Sequence, residues 1–129
     1  MKKCAVIGGG AMGRQIALNT AIHGYEVAVC ESFPAALASL EAWKEEYLAG
    51  RVAKGRMTQE QVDAIRARFH TCKDLQQSVQ GVDCIIECVI EKEEVKREFF
   101  KTVDQFIDEN VILATNSSYM VSSKFADCV

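Results

Sequence analysis

Apolar residues fall in short runs, and longer stretches of helical spacing separate them. Cys4–Ile7 is the first run; it reads as a buried parallel strand that breaks into Gly8-Gly-Gly-Ala-Met-Gly13. Ile16, Ala17, Thr20 and Ala21 then recur on one face of a helix reaching His23, and Gly24 stops it in the C′ position. A second strand, Glu26 to Cys30, ends on the acidic Glu31. Ser32 and Pro34 mark a helix start, and Leu37, Leu40, Trp43, Tyr47 and Leu48 form its stripe before it ends near Gly50. Beyond the basic stretch 51–56, Thr58-Gln-Glu-Gln61 is a capping box for a helix that buries Val62, Ile65 and Phe69. A third strand is predicted over about Phe69–Cys72 and a short helix over Asp74–Gln80.

Gly81 releases the chain into Val82–Val89, almost continuously apolar and so another buried parallel strand. A charged helix from about Glu93 to Asp108 turns Val95, Phe99, Val103 and Phe106 inward. Val111–Ala114 is a fifth strand, closed by Thr115-Asn-Ser-Ser118, and Ser122–Asp127 opens one more helix. Alternating strands and helices of these lengths give an α/β fold, a doubly wound parallel sheet. Its ligand crevice lies beyond the C-terminal strand ends, so the loops after Ile7, Cys30, Val89 and Thr115 converge on one cleft.

The first βαβ unit carries chemistry. In Gly8-x-Gly10-x-x-Gly13 the first glycine makes the tight turn, the second has no Cβ to block a pyrophosphate, and the third lets helix and strand pack closely. The free N–H groups of the first turn, at Ala11 and Met12, and the helix dipole hold phosphate charge. Glu31 stands eighteen residues after Gly13, where a carboxylate accepts both ribose hydroxyls. A 2′-phosphate would meet like charge there, so the site favours NAD over NADP. Strand, turn, helix, second strand and terminal acid in this order make a dinucleotide site, where a lone glycine motif would be weak.

Composition narrows the alternatives. The chain has 129 residues, enough for one domain with a real core, and an ordinary balance of 49% hydrophobic and 26% charged residues. A net charge of −3 argues against a nucleic-acid partner or a membrane surface. No apolar run has membrane-spanning length, and the first strand begins almost at Met1, so no signal peptide and a cytoplasmic location are expected. Of six cysteines, Cys4, Cys30, Cys84 and Cys88 lie inside strand-like runs, where a reduced thiol serves as a small hydrophobe. Cys84 and Cys88 lack metal-site spacing, and His23 and His70 are too few to complete a ligand set, so no metal is expected.

Lys54-Gly-Arg-Met-Thr58, Ile86-Glu-Cys-Val-Ile-Glu91 with Val95-Lys96, and Leu113-Ala-Thr-Asn-Ser-Ser118 follow the glycine motif and Glu31 in order. Together they resemble the NAD-binding, Rossmann-type domain of the 3-hydroxyacyl-CoA dehydrogenase family, which includes 3-hydroxybutyryl-CoA dehydrogenases. The resemblance covers essentially the whole chain, and the two later strand ends are far more specific than the glycines. It implies oxidation of the 3-hydroxyl of an acyl-CoA to a ketone, with hydride passing to NAD. It places Glu91 near the nicotinamide ribose, against a solvated charge at a helix start. Lys96 either pairs with Glu91 or reaches the cofactor, or is simply an exposed helical lysine. Asn116 and Ser118 point at the substrate oxygen; Ser118 is the candidate catalytic residue, hydrogen-bonded to the 3-hydroxyl, with a helix cap as its plain alternative. Lys54 matches a lysine beside the CoA tail, against a solvated face.

Two departures stand out: Tyr119 occupies a position where the family usually has a small serine, and Glu31 replaces a more frequent Asp. The family's general-base His, held by a Glu, and its helical dimerisation domain fall beyond Val129, and neither His23 nor His70 is placed to substitute. The expectation is therefore the cofactor half of a homodimeric enzyme, ended before the last strand, binding NAD but turning over little acyl-CoA by itself. Such an edge predicts self-association or modest stability. A free-standing NAD-binding module and a related hydroxy-acid or carnitine dehydrogenase are the alternatives.

Overall fold

A computed structural model describes residues 2–118 and 120–129. Five strands, β1 (Lys3–Ile7), β2 (Glu26–Cys30), β3 (Phe69–Cys72), β4 (Cys84–Glu87) and β5 (Ile112–Thr115), form one parallel sheet in the order β3-β2-β1-β4-β5. Helices α1 (Ala11–Ile22), α2 (Pro34–Ala53), α3 (Gln59–Arg68), α4 (Leu75–Ser78) and α5 (Glu93–Asp104) connect them, and a 3-10 helix spans Ser122–Cys128. The order reverses at β1: the first crossover runs outward to β2 and β3, the next returns to β4 on β1's other side. That is the doubly wound sheet expected from the pattern.

Alternation along β1 explains the two cores. Val6 faces one layer with Ala17, Leu18, Ala21, Val27, Leu40 and Leu48; Ala5 and Ile7 face another with Ile85, Phe99, Phe100 and Val103. All six cysteines are thiols, and Cys4, Cys30 and Cys84 are buried in these layers. Among the described residues no helix is long and apolar enough to cross a membrane.

Boundaries and phases differ in instructive places. Leu18 is buried in α1, whereas Ile16 and Thr20 are only half-buried. Helix α2 begins with Pro34 at N1 but its N-cap is Phe33, not Ser32, and it runs past Gly50 to Ala53. Its inner row is Leu40, Lys44 and Leu48, with the Lys44 ammonium 2.9 Å from Glu41 and 5.2 Å from the Phe69 ring centroid. The Thr58–Gln61 box forms both of its hydrogen bonds, and Phe69 is buried as the first residue of β3. Helix α4 is only Leu75–Ser78, capped by Asp74. Strand β4 is half the predicted length, and α5 ends at Asp104 rather than Asp108. Val95 is 37% exposed; the inner face of α5 is Lys96, Phe99, Phe100 and Val103. The helix is turned by one residue because a charged residue at position 96 has a partner inside.

Candidate active site

The cleft at the C-terminal strand ends has two halves. On the β1–β2 side, Gly8 has φ +108°, and its N–H donates to the Cys30 carbonyl at 3.0 Å. A Cβ at Gly8 would stand 2.5 Å from the Cys88 carbonyl oxygen, and one at Gly13 would stand 1.8 Å from that of Gly8. Each glycine is thus required by backbone packed against backbone. Gly10 differs: a Cβ there would meet nothing within 4 Å. Its constraint is space kept open above the first turn of α1, where Ala11 and Met12 are exposed and no side chain caps the helix.

Glu31 follows the tip of β2, where its N–H donates to the Cys72 carbonyl at 2.9 Å. Its carboxylate accepts from the Gly9 N–H at 3.2 Å, so the acid is tethered to the glycine loop. Arg14 donates to the Gly9 carbonyl at 3.1 and 3.0 Å, and its guanidinium lies 5.5 Å from the Trp43 ring centroid. An open cradle, uncapped helical N–H groups and a carboxylate at the neighbouring strand end are the donor and acceptor set that a dinucleotide's pyrophosphate and ribose require.

On the β4–β5 side the side chains form a connected circuit. Glu87, the last residue of β4, is fully buried and accepts from Lys96 Nζ at 2.8 and 2.7 Å, from Thr115 Oγ1 at 2.9 Å and from the Val89 N–H at 2.9 Å. Lys96, also fully buried, reaches Glu91 Oε1 at 2.9 Å. Glu91 Oε2 accepts from Ser117 Oγ at 2.8 Å; Ser117 Oγ in turn accepts from the Met120 N–H at 3.0 Å, and the Ser117 N–H donates to Thr115 Oγ1 at 3.1 Å. Burial pulls the Lys96 ammonium down, but the hydrogen bonds it donates to Glu87 and Glu91 outweigh it and the net shift is upward. The Lys96 and Ser117 hydrogen bonds hold the Glu91 carboxyl below its ordinary range. Burial, with the Glu87 charge adding, pushes the Cys88 thiol up to about 11.

Lys96 is therefore not an exposed helical lysine, and its pairing with Glu91 is present. Asn116 continues the β4–β5 ladder through its N–H to the Glu87 carbonyl at 2.9 Å, and the side chains of Asn116 and Ser118 are exposed beyond β5. Tyr119, expected to crowd this loop, lies outside the described residues. Lys54 caps α2 away from the strand tips, in an open concavity with Trp43, Tyr47, Arg51 and Arg56. Both histidines are remote: His23 Nδ1 is 2.8 Å from the Asn19 carbonyl at the end of α1, and His70 Nε2 is 2.8 Å from Glu26 at the start of β2. Sequence reasoning missed Glu87, Thr115 and Ser117. The available signal was one glutamate inside an apolar strand, a charge that burial permits only with a partner.

The family model described as the NAD-binding domain of 3-hydroxyacyl-CoA dehydrogenase matches residues 3–129. Human mitochondrial hydroxyacyl-coenzyme A dehydrogenase is 32% identical over 133 residues, covering 98% of this chain and 42% of the relative. A probable 3-hydroxybutyryl-CoA dehydrogenase of Bacillus subtilis is 32% identical over 127 residues, covering 98% and 44%. The crystal structure of (S)-3-hydroxybutyryl-CoA dehydrogenase from Ralstonia eutropha superposes with a TM-score of 0.92 at 26% identity, over 100% of this chain and 45% of that one. The chain spans less than half the length of these relatives.

Proposed function

Because this chain belongs to the 3-hydroxyacyl-CoA dehydrogenase family as its NAD-binding domain, we propose that it is the cofactor half of an enzyme that oxidises the 3-hydroxyl of an acyl-CoA to a ketone. The carrying observation is the pairing of open space at Gly10 with a carboxylate, Glu31, tied to the same loop. NAD, when bound, supplies the hydride acceptor.

In this reading Gly8, Gly10 and Gly13 keep the crevice open, and the N–H groups of Ala11 and Met12 take pyrophosphate charge. Glu31 accepts the adenosine ribose hydroxyls and rejects a 2′-phosphate by like charge. Glu91 serves the second ribose, with Lys96 behind it, and Asn116 stands at the nicotinamide end. Ser118, exposed beyond β5, hydrogen-bonds the 3-hydroxyl of the substrate. Lys54, with Arg51 and Arg56 beside Trp43 and Tyr47, offers cations and aromatic faces to the phosphates and base of CoA. Neither histidine reaches the cleft, which supports NAD binding without acyl-CoA turnover by these residues alone, the general base coming from elsewhere in the enzyme. Six thiols support a reducing compartment, which we propose is the cytoplasm and which cell fractionation tests. Exposed Ile112 on the edge strand β5 supports self-association, with a homodimer proposed for the whole enzyme and sedimentation as its test.

Calorimetric titration of the chain with NAD and NADP, repeated with Glu31→Ala, tests the cofactor reading. NAD binding that exceeds NADP and weakens on substitution is expected. Absence of binding to either nucleotide would sink it.

A further inference from the structure

Lys96 has a buried side chain and an ammonium group already engaged by Glu87 Oε1, Glu87 Oε2 and Glu91 Oε1, which matches its three N–H donors. Glu87 in turn holds four hydrogen-bond donors and is enclosed. The outward member of the circuit is Glu91, whose side chain is 44% exposed. One of its oxygens is fixed from α5 by Lys96 and the other from the β5 loop by Ser117. Two anchors on one carboxylate, from two different elements, restrict its rotation. Each carboxylate oxygen keeps a lone pair that neither anchor uses.

We propose that Ser117 and Lys96 are positioning residues that present Glu91 to the second ribose of the dinucleotide, with Glu87 as the buried post that fixes Lys96. The inference rests on the NAD reading above and deepens it. The switch point between β1 and β4 puts Glu31 and the glycine loop on one side and Glu91 on the other. The circuit therefore acts on the nicotinamide half of the ligand and not on the ADP half. Ser117 is distinct from its neighbour Ser118, whose hydroxyl is assigned to substrate.

The test is titration of the chain and its variants with ADP, ADP-ribose and NAD. Ser117→Ala is expected to weaken ADP-ribose and NAD about tenfold, the loss of a hydrogen bond to a charged group, while ADP changes by less than about twofold. Ser117→Thr, which keeps the hydroxyl, restores binding. Glu91→Gln, which keeps an amide oxygen to accept from Lys96, weakens the same two ligands, and the Ser117→Ala/Glu91→Gln double variant is no weaker than Glu91→Gln alone. Unchanged ADP-ribose and NAD affinities, losses that add in the double variant, or a parallel loss of ADP would overturn the proposal. Failure of the unsubstituted chain to bind ADP and NAD would instead overturn the dinucleotide reading itself.

Discussion

Lys96 and Glu87 form an ion pair with no exposed side-chain surface, the ammonium nitrogen 2.7 and 2.8 Å from the two carboxylate oxygens. It joins the first turns of α5 to the end of β4. Desolvating two charges is costly, and the pair persists because Thr115, Val89 and Glu91 satisfy the remaining hydrogen-bonding capacity. Lys96→Met strands the Glu87 carboxylate and is expected to lower stability by about 3–5 kcal/mol. Glu87→Leu with Lys96→Met recovers much of that loss, and urea denaturation of single and double variants checks it.

Gly13 and Gly10 should respond differently to a single added methyl group. At Gly13 the new carbon falls 1.8 Å from the Gly8 carbonyl oxygen, so α1 must move off β1. Gly13→Ala is expected to cost at least about 1–3 kcal/mol, the range for overpacking. Gly10→Ala has room and keeps the thermal midpoint close to the parent's, but it loses NAD affinity in calorimetry.

The Thr58 cap is an internal control far from the cleft. Its hydroxyl accepts from the Gln61 N–H at 3.1 Å, and the Gln61 side-chain Oε1 accepts from the Thr58 N–H at 2.9 Å. Thr58→Ala is expected to destabilise by about 1 kcal/mol with NAD binding unchanged, as read by denaturation and titration together.

Acid stability carries a signature of Glu91. Its folded-state carboxyl is held below its ordinary value of 4.5 by Lys96 and Ser117. The contribution is therefore fully present above about pH 4.5 and disappears as pH falls through the lower folded value. Glu91→Gln should flatten the fall in thermal midpoint below pH 4.5 and leave the neutral region's slope alone. A parent and variant with superimposable acid limbs would contradict this.

The β1–β2 half of the cleft was legible because its determinants are local. Gly8, Gly10, Gly13 and Glu31 belong to one βαβ unit, and turn geometry sets their spacing. The β4–β5 half was less so. Glu91, Lys96, Asn116 and Ser118 were recognised through family resemblance, but their arrangement depends on β4 and β5 lying side by side, contacts that no local pattern encodes. Reading α5 by apolar residues alone put Val95 inside and left the place of Lys96 open; the observed face is Lys96, Phe99, Phe100 and Val103, a regular helical stripe with a lysine in first place.

The sequence by itself determined the alternation of strands and helices, the glycine turn, the acid at the second strand's end and the Thr58 cap. Hydrophobic period, backbone freedom and near-neighbour hydrogen bonds act over a few residues and leave their marks in the chain. Tertiary structure alone decided the order β3-β2-β1-β4-β5, the turn of α5 about its axis and the burial of Lys96. A lysine enters a core only where a carboxylate waits for it, and Glu87 meets it there because β4 ends beneath the first turns of α5.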